Sequence, residues 1–162
     1  MIQIKNFTWV LLFSSVFLAS CGKDDSGCTD PFSDNYDRAA LKDDGSCIPW
    51  TAKFEGNWIL REACQGGSTG APIPVFISAG LNPEELGVFR RTDNTRVFTL
   101  ILLNGQSFEL SPYTYFAPAG LVEVTGQGSI SNNRRTINIQ TFLEELLGSG
   151  LTGSCNIVLE KQ

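Results

Sequence analysis

The side chains with chemistry to offer are five cysteines, a cluster of carboxylates, a glutamate alternating with apolar residues, and a run of aromatics. Histidine is absent, which removes the usual general base, Ser-His nucleophile activation and the common zinc ligand together. No G-x-S-x-G occurs, and Gly148-Ser149-Gly150 lacks the strand-turn-helix setting of a phosphate-cradling loop. Glycoside hydrolysis would need only two acids at a fixed separation. Glu84-Glu85 and Glu144-Glu145 fall in expected loops, however, where solvation explains them. The expectation is a non-enzymatic protein.

The carboxylates crowd into residues 27–47, GCTDPFSDNYDRAALKDDGSC. Such density suits Ca²⁺, which takes about six to eight oxygen ligands and tolerates irregular geometry. Asp30, Asp37, Asp43 and Asp44, with Asn35 as a carbonyl donor, are the candidate ligands of a weak structural calcium site. An EF-hand is excluded, because Asp43-Asp44-Gly45 lacks the alternating acids that precede its glycine. The same residues equally suit turn capping in water. Both readings stand, and thermal stability that ignores millimolar Ca²⁺ or EDTA would decide against the first.

The elements that position these groups begin at the N-terminus. Lys5, the apolar core Phe7 to Leu18 and the small residues after it have the three regions of a secretory signal. A spanning helix needs roughly 20 apolar residues, and this core is shorter. Leu18-Ala19-Ser20-Cys21 resembles the lipobox of bacterial lipoproteins. The resemblance implies cleavage before Cys21, diacylation of its sulfur and acylation of the new amino group. Each buried methylene contributes about 0.8 kcal/mol, so two or three chains make attachment lasting. Gly22-Lys23-Asp24-Asp25 resembles the lysine-and-acid export signal of certain Gram-negative lipoproteins, which implies the outer face of the outer membrane; elsewhere it would be a solvated linker. Removing residues 1–20 from 162 leaves 142, and removing Lys5 from 12 basic residues leaves 11 against 17 acidic, a net charge of −6. That sign argues against nucleic acid and against an electrostatic grip on anionic lipid.

With Cys21 taken by lipid, Cys28, Cys47, Cys64 and Cys155 remain for an oxidising compartment, and four cysteines allow three pairings. Chain order favours Cys28 with Cys47 and Cys64 with Cys155, each pair within one folding unit. Thiolate metal-ligand spacings are absent. Gly27 to Cys47 closely resembles a short module, GCTDP then NY then DDGSC, of secreted and surface proteins in such bacteria, with Arg38 standing where proline is common. So small and polar a segment needs a disulfide, a metal or both, and closing a loop of this length contributes roughly 3 kcal/mol.

From Thr51 onward the chain reads as eight short strands: 57–64, 73–78, 86–91, 96–103, 106–110, 121–130, 134–143 and 154–161. Asn104-Gly105 signals a two-residue hairpin, and Asn82-Pro83-Glu84-Glu85 a single helical turn. Gly126 and Gly128 on one strand parity suggest sharp coiling or close approach of a neighbouring backbone. Phe54-Glu55-Gly56-Asn57-Trp58, the Cys64 and Cys155 pair and Gly126-Gln127-Gly128 together resemble, loosely, the lipocalin-like domains of bacterial surface lipoproteins. The resemblance implies an all-β fold, an antiparallel eight-stranded meander barrel; a β-sandwich would satisfy the same strand pattern. The expected organisation is a signal peptide (1–20), a lipidated tether (21–26), a disulfide-closed acidic module (27–50) and the barrel (51–162).

Two features suit binding. Ser111 to Pro118 reads as a loop whose Tyr113, Tyr115 and Phe116 form a stiff aromatic platform for a sugar ring or apolar ligand, or else pack inward as a plug. Glu62 shares a strand face with Trp58, Leu60 and Cys64, a polar handle in a cavity unless Arg61 or a rim neighbour neutralises it. Trp58 is either a ligand contact or packed core. The arginine pairs Arg90-Arg91 and Arg134-Arg135 keep strand ends solvated. The expected function is a surface-anchored lipoprotein binding a small apolar or glycan ligand, or a partner protein, with an accessory subunit of an outer-membrane assembly as the alternative.

Overall fold

The computed structural model describes residues 25–67, 69–118, 120–147 and 152–162. Cys21, the lipobox and the export signal up to Asp24 lie outside the described residues, as does Gly148-Ser149-Gly150.

Two two-residue strands, β1 (Ser26–Gly27) and β2 (Lys42–Asp43), pair in parallel inside the acidic module, and a 3-10 turn, Trp50–Lys53, leads out of it. Eight strands follow: β3 (Gly56–Cys64), β4 (Ile73–Ala79), β5 (Glu85–Arg90), β6 (Arg96–Leu102), β7 (Ser107–Ala117), β8 (Gly120–Ile130), β9 (Thr136–Glu145) and β10 (Thr152–Lys161). Each pairs antiparallel with its sequence neighbours, and β10 returns to β3, so the sheet is a closed up-and-down barrel and not a sandwich. Closure leaves no exposed edge along β3 and β10. The seam is registered Leu60 to Leu159 and Cys64 to Cys155, and the latter pair is a disulfide.

Alternation decides what fills the barrel. Trp58 and Leu60, Val75 and Ile77, Leu86 and Val88, Phe98 and Leu100, Ile137 and Ile139, and Ile157 and Leu159 are all buried in one continuous cluster. The outer rows carry polar residues such as Gln127, Asn138, Gln140 and Asn156. The apolar interior is the reverse of the polar lumen of a membrane-spanning barrel. Among the described residues no helix is long and apolar enough to cross a membrane.

The glycines of β8 mark a close approach of neighbouring groups. A Cβ at Gly126 would lie 2.7 Å from the Gln140 carbonyl oxygen, and one at Gly128 would strike the Asn138 carbonyl and the Phe108 ring. β9 and Phe108 therefore occupy the space that side chains would need.

Four local expectations are corrected, the first being that Glu144-Glu145 fall in a loop, since they are the last two residues of β9. Asn104-Gly105 does not close a two-residue hairpin. The loop runs 103–106, with the Leu103 amide donating to the Ser107 carbonyl and the Asn104 carboxamide oxygen accepting from the amides of Gln106 and Ser107. Asn82 to Glu85 is a single hydrogen-bonded turn rather than a helical one. Ser111 to Ala117 is not a loop but the second half of β7.

Candidate functional site

The barrel has a filled end and an open end. At the filled end Trp58 is fully buried, its indole N–H donating to the Phe54 carbonyl at 2.7 Å, and Phe54 meets Phe108 edge-on. Trp58 is thus a plug and not a ligand contact, correcting one of the two readings its position allowed.

The acidic module docks at this same end. Asp34 accepts a 2.6 Å hydrogen bond from Lys53, whose side chain is only 7% exposed, and Arg134 of the β8–β9 turn lies 3.9 Å away. Gly105 of the β6–β7 loop sits so close that a Cβ there would be 2.6 Å from Asp34. Phe32 packs edge-on against Trp50. The module is held by the Cys28–Cys47 disulfide.

The five candidate calcium ligands are spread over separate turns. Asp30 accepts from the Phe32 amide and the Ser33 hydroxyl, Asp37 from the Ala39 amide, Asp43 from Gly45 and Asp44 from Ser46. The Asn35 carboxamide oxygen accepts from the Ile48 amide. Hydrogen bonds from Ser46, hydroxyl then amide, hold the Asp44 carboxyl below its ordinary range. These are the side-chain-to-backbone turns that Asp and Asn favour. Among the described residues, only Glu62, Cys64 and Cys155 bring three acidic or sulfur atoms within 4.8 Å of one another, and both sulfurs are consumed in the disulfide.

At the opposite end the barrel opens into a recess of about 200 Å³ lined by Glu62, Tyr113, Tyr115, Val124, Thr141, Leu143 and Ile157. The aromatics reach it because β7 is bulged. Leu110 pairs with Gly126 but Tyr113 with Val124, so three steps on β7 match two on β8. The extra residue falls at Ser111-Pro112, where a missing N–H is tolerated, and it reverses the inward parity. Leu110 points in before the bulge; Tyr113 and Tyr115 point in after it. Phe116 points out and is 84% exposed, so it does not line the recess.

Tyr113 is half-buried, and its phenol is pushed above the ordinary 10.0, first by burial, then by the Glu62 charge and then by Tyr115. Arg61 does not neutralise Glu62; it faces the other side of β3 and pairs with Glu160 at 3.4 Å. The rim is apolar, with Phe116, Leu146 and Leu147 exposed beside Leu121. Outside the barrel, Glu123 and Glu144 oppose each other across β8 and β9 and share a shallow groove with Phe142, a pairing that strand-by-strand reading did not bring together.

No family profile matches the chain, and no curated protein does. Among solved structures, a Bacteroides fragilis chain provisionally named an outer membrane protein aligns at 15% identity with a TM-score of 0.40, over 72% of this chain and 54% of that one.

Proposed function

We propose that this chain is a lipid-anchored protein of the outer-membrane surface that binds a small ligand in the mouth of its barrel and catalyses no reaction. The observation that carries the binding is the recess over a filled core. Trp58, Phe98, Leu100 and Ile137 belong to one continuous buried cluster, and the barrel mouth holds a recess where Glu62, Tyr113 and Tyr115 converge. Apolar walls with a few convergent polar groups are the usual make-up of a ligand site. The address rests on Leu18-Ala19-Ser20-Cys21 and the acids after it. The absence of catalysis rests on the recess having one carboxylate in its lining. Glu123 and Glu144 stand side by side on one sheet face rather than flanking a bond, as two-carboxylate hydrolysis requires. The module's acids serve as turn caps, and calcium would be dispensable.

Mass spectrometry of small molecules co-purified with the detergent-extracted protein tests the reading. Wild type should carry a compound that Val124→Phe, which fills the recess, does not. Identical profiles from the two would refute it. Cys21→Ala should leave the membrane fraction, and retention there would refute the anchor. The accessory-subunit reading is favoured by one observation, the exposed rim of Phe116, Leu146 and Leu147. If that rim seats a partner protein, Phe116→Ser would release the partner from affinity-purified complexes.

A further inference from the structure

We propose that the mouth recess takes a small organic cation of the amine or quaternary-ammonium class, held between the Glu62 carboxylate and the rings of Tyr113 and Tyr115. This rests on the recess being a ligand site and names the chemistry of its occupant.

The charge inventory is one-sided. The lining holds one acid and no base. The Glu62 carboxylate has no hydrogen-bond or ion-pair partner among the described residues, and the adjacent Arg61 is engaged with Glu160 on the outer face. The Thr141 hydroxyl donates to the Cys155 carbonyl at 3.1 Å, so that donor is turned away from the recess. What faces a ligand is a carboxylate, two phenol rings and the side chains of Val124, Leu143 and Ile157. Burial and the Glu62 charge keep the Tyr113 phenol protonated, so the site holds a single uncompensated negative charge.

Such a site repels carboxylates and phosphates. It attracts a cation twice, through the carboxylate and through the ring quadrupoles. The aliphatic walls suit the methyl or methylene groups that surround an alkylammonium charge. Drug-sized pockets run from about 300 Å³ upward, and this one, at about 200 Å³, sets a small upper size for the cation.

The test uses full-length protein in an uncharged detergent, titrated calorimetrically with choline and with its uncharged carbon isostere dimethylbutanol. Choline should bind about tenfold or more tightly than the isostere. Glu62→Gln, a near-isosteric change at an exposed lining residue, should abolish that preference. Tyr113→Phe should preserve it, and Tyr113→Ala should weaken choline binding. Equal affinity for the two probes overturns the cation while leaving the recess as a site for neutral ligands. No binding of choline, or a preference that survives Glu62→Gln, also overturns it.

Discussion

The interactions that decide the behaviour of single residues lie at the two ends of the barrel. At the filled end Lys53 is almost wholly buried and its charge is met by Asp34, itself 24% exposed. Removing one partner of a buried pair typically costs about 3–5 kcal/mol. Because Asp34 is partly hydrated, Asp34→Ala should cost about 2–3 kcal/mol, read from the urea midpoint. No change would mean that Lys53 finds water. At the open end Tyr113 should titrate above its ordinary 10.0 in an ultraviolet absorbance titration, and Glu62→Gln should lower its pKa part-way, burial remaining. The sign follows from linkage: a pKa raised on folding gives stability that is complete below about pH 10 and is lost as pH climbs through the folded value. The disulfide partners and the Glu62 face were legible from spacing and parity. The hydrogen bonds of the module's acids were not, because carboxylates that cap turns and carboxylates that bind calcium have the same composition; Asp34's reach to Lys53 has no signature in the sequence.

Among the elements, β7 and β8 make the site. Strand parity read from Phe108 and Leu110 puts Thr114 and Phe116 inside, and the bulge at Ser111-Pro112 puts Tyr113 and Tyr115 there instead. Proline and serine look like a loop in the sequence because nothing local shows that a partner strand continues alongside. The eight strands themselves were legible, since every one has an alternating apolar face. β8 is legible through its glycines, which make a sharp prediction. Gly128→Ala should cost about 3 kcal/mol, because the new methyl meets the Asn138 carbonyl and the Phe108 ring. Gly153→Ala, with nothing within 4 Å of its Cβ, should be neutral or stabilise by up to about 1 kcal/mol. Equal effects in thermal melts would show that β8 can relax away from β9.

For the whole molecule the two disulfides have different jobs. Cys64–Cys155 spans 91 residues and staples the β3–β10 seam, so replacing both with serine should lower the barrel's stability by about 4–5 kcal/mol. Cys28–Cys47 spans 19 residues within a segment that has little core, and its replacement should free the module while the barrel's own unfolding midpoint holds. Denaturation followed by tryptophan fluorescence, with Trp58 in the barrel and Trp50 at the module junction, separates the two outcomes. The module sits at the filled end, so under the proposed lipid anchor the tether leaves from that side and the mouth faces the medium. Under the proposed cation chemistry, this mouth and no other surface receives the organic cation. Methyl chemical-shift mapping during a choline titration tests it most directly: Val124, Leu143 and Ile157 should shift saturably while Leu102 and Leu159, toward the filled end, stay still. Shifts confined to the outer groove around Phe142, or none at the mouth, would contradict it.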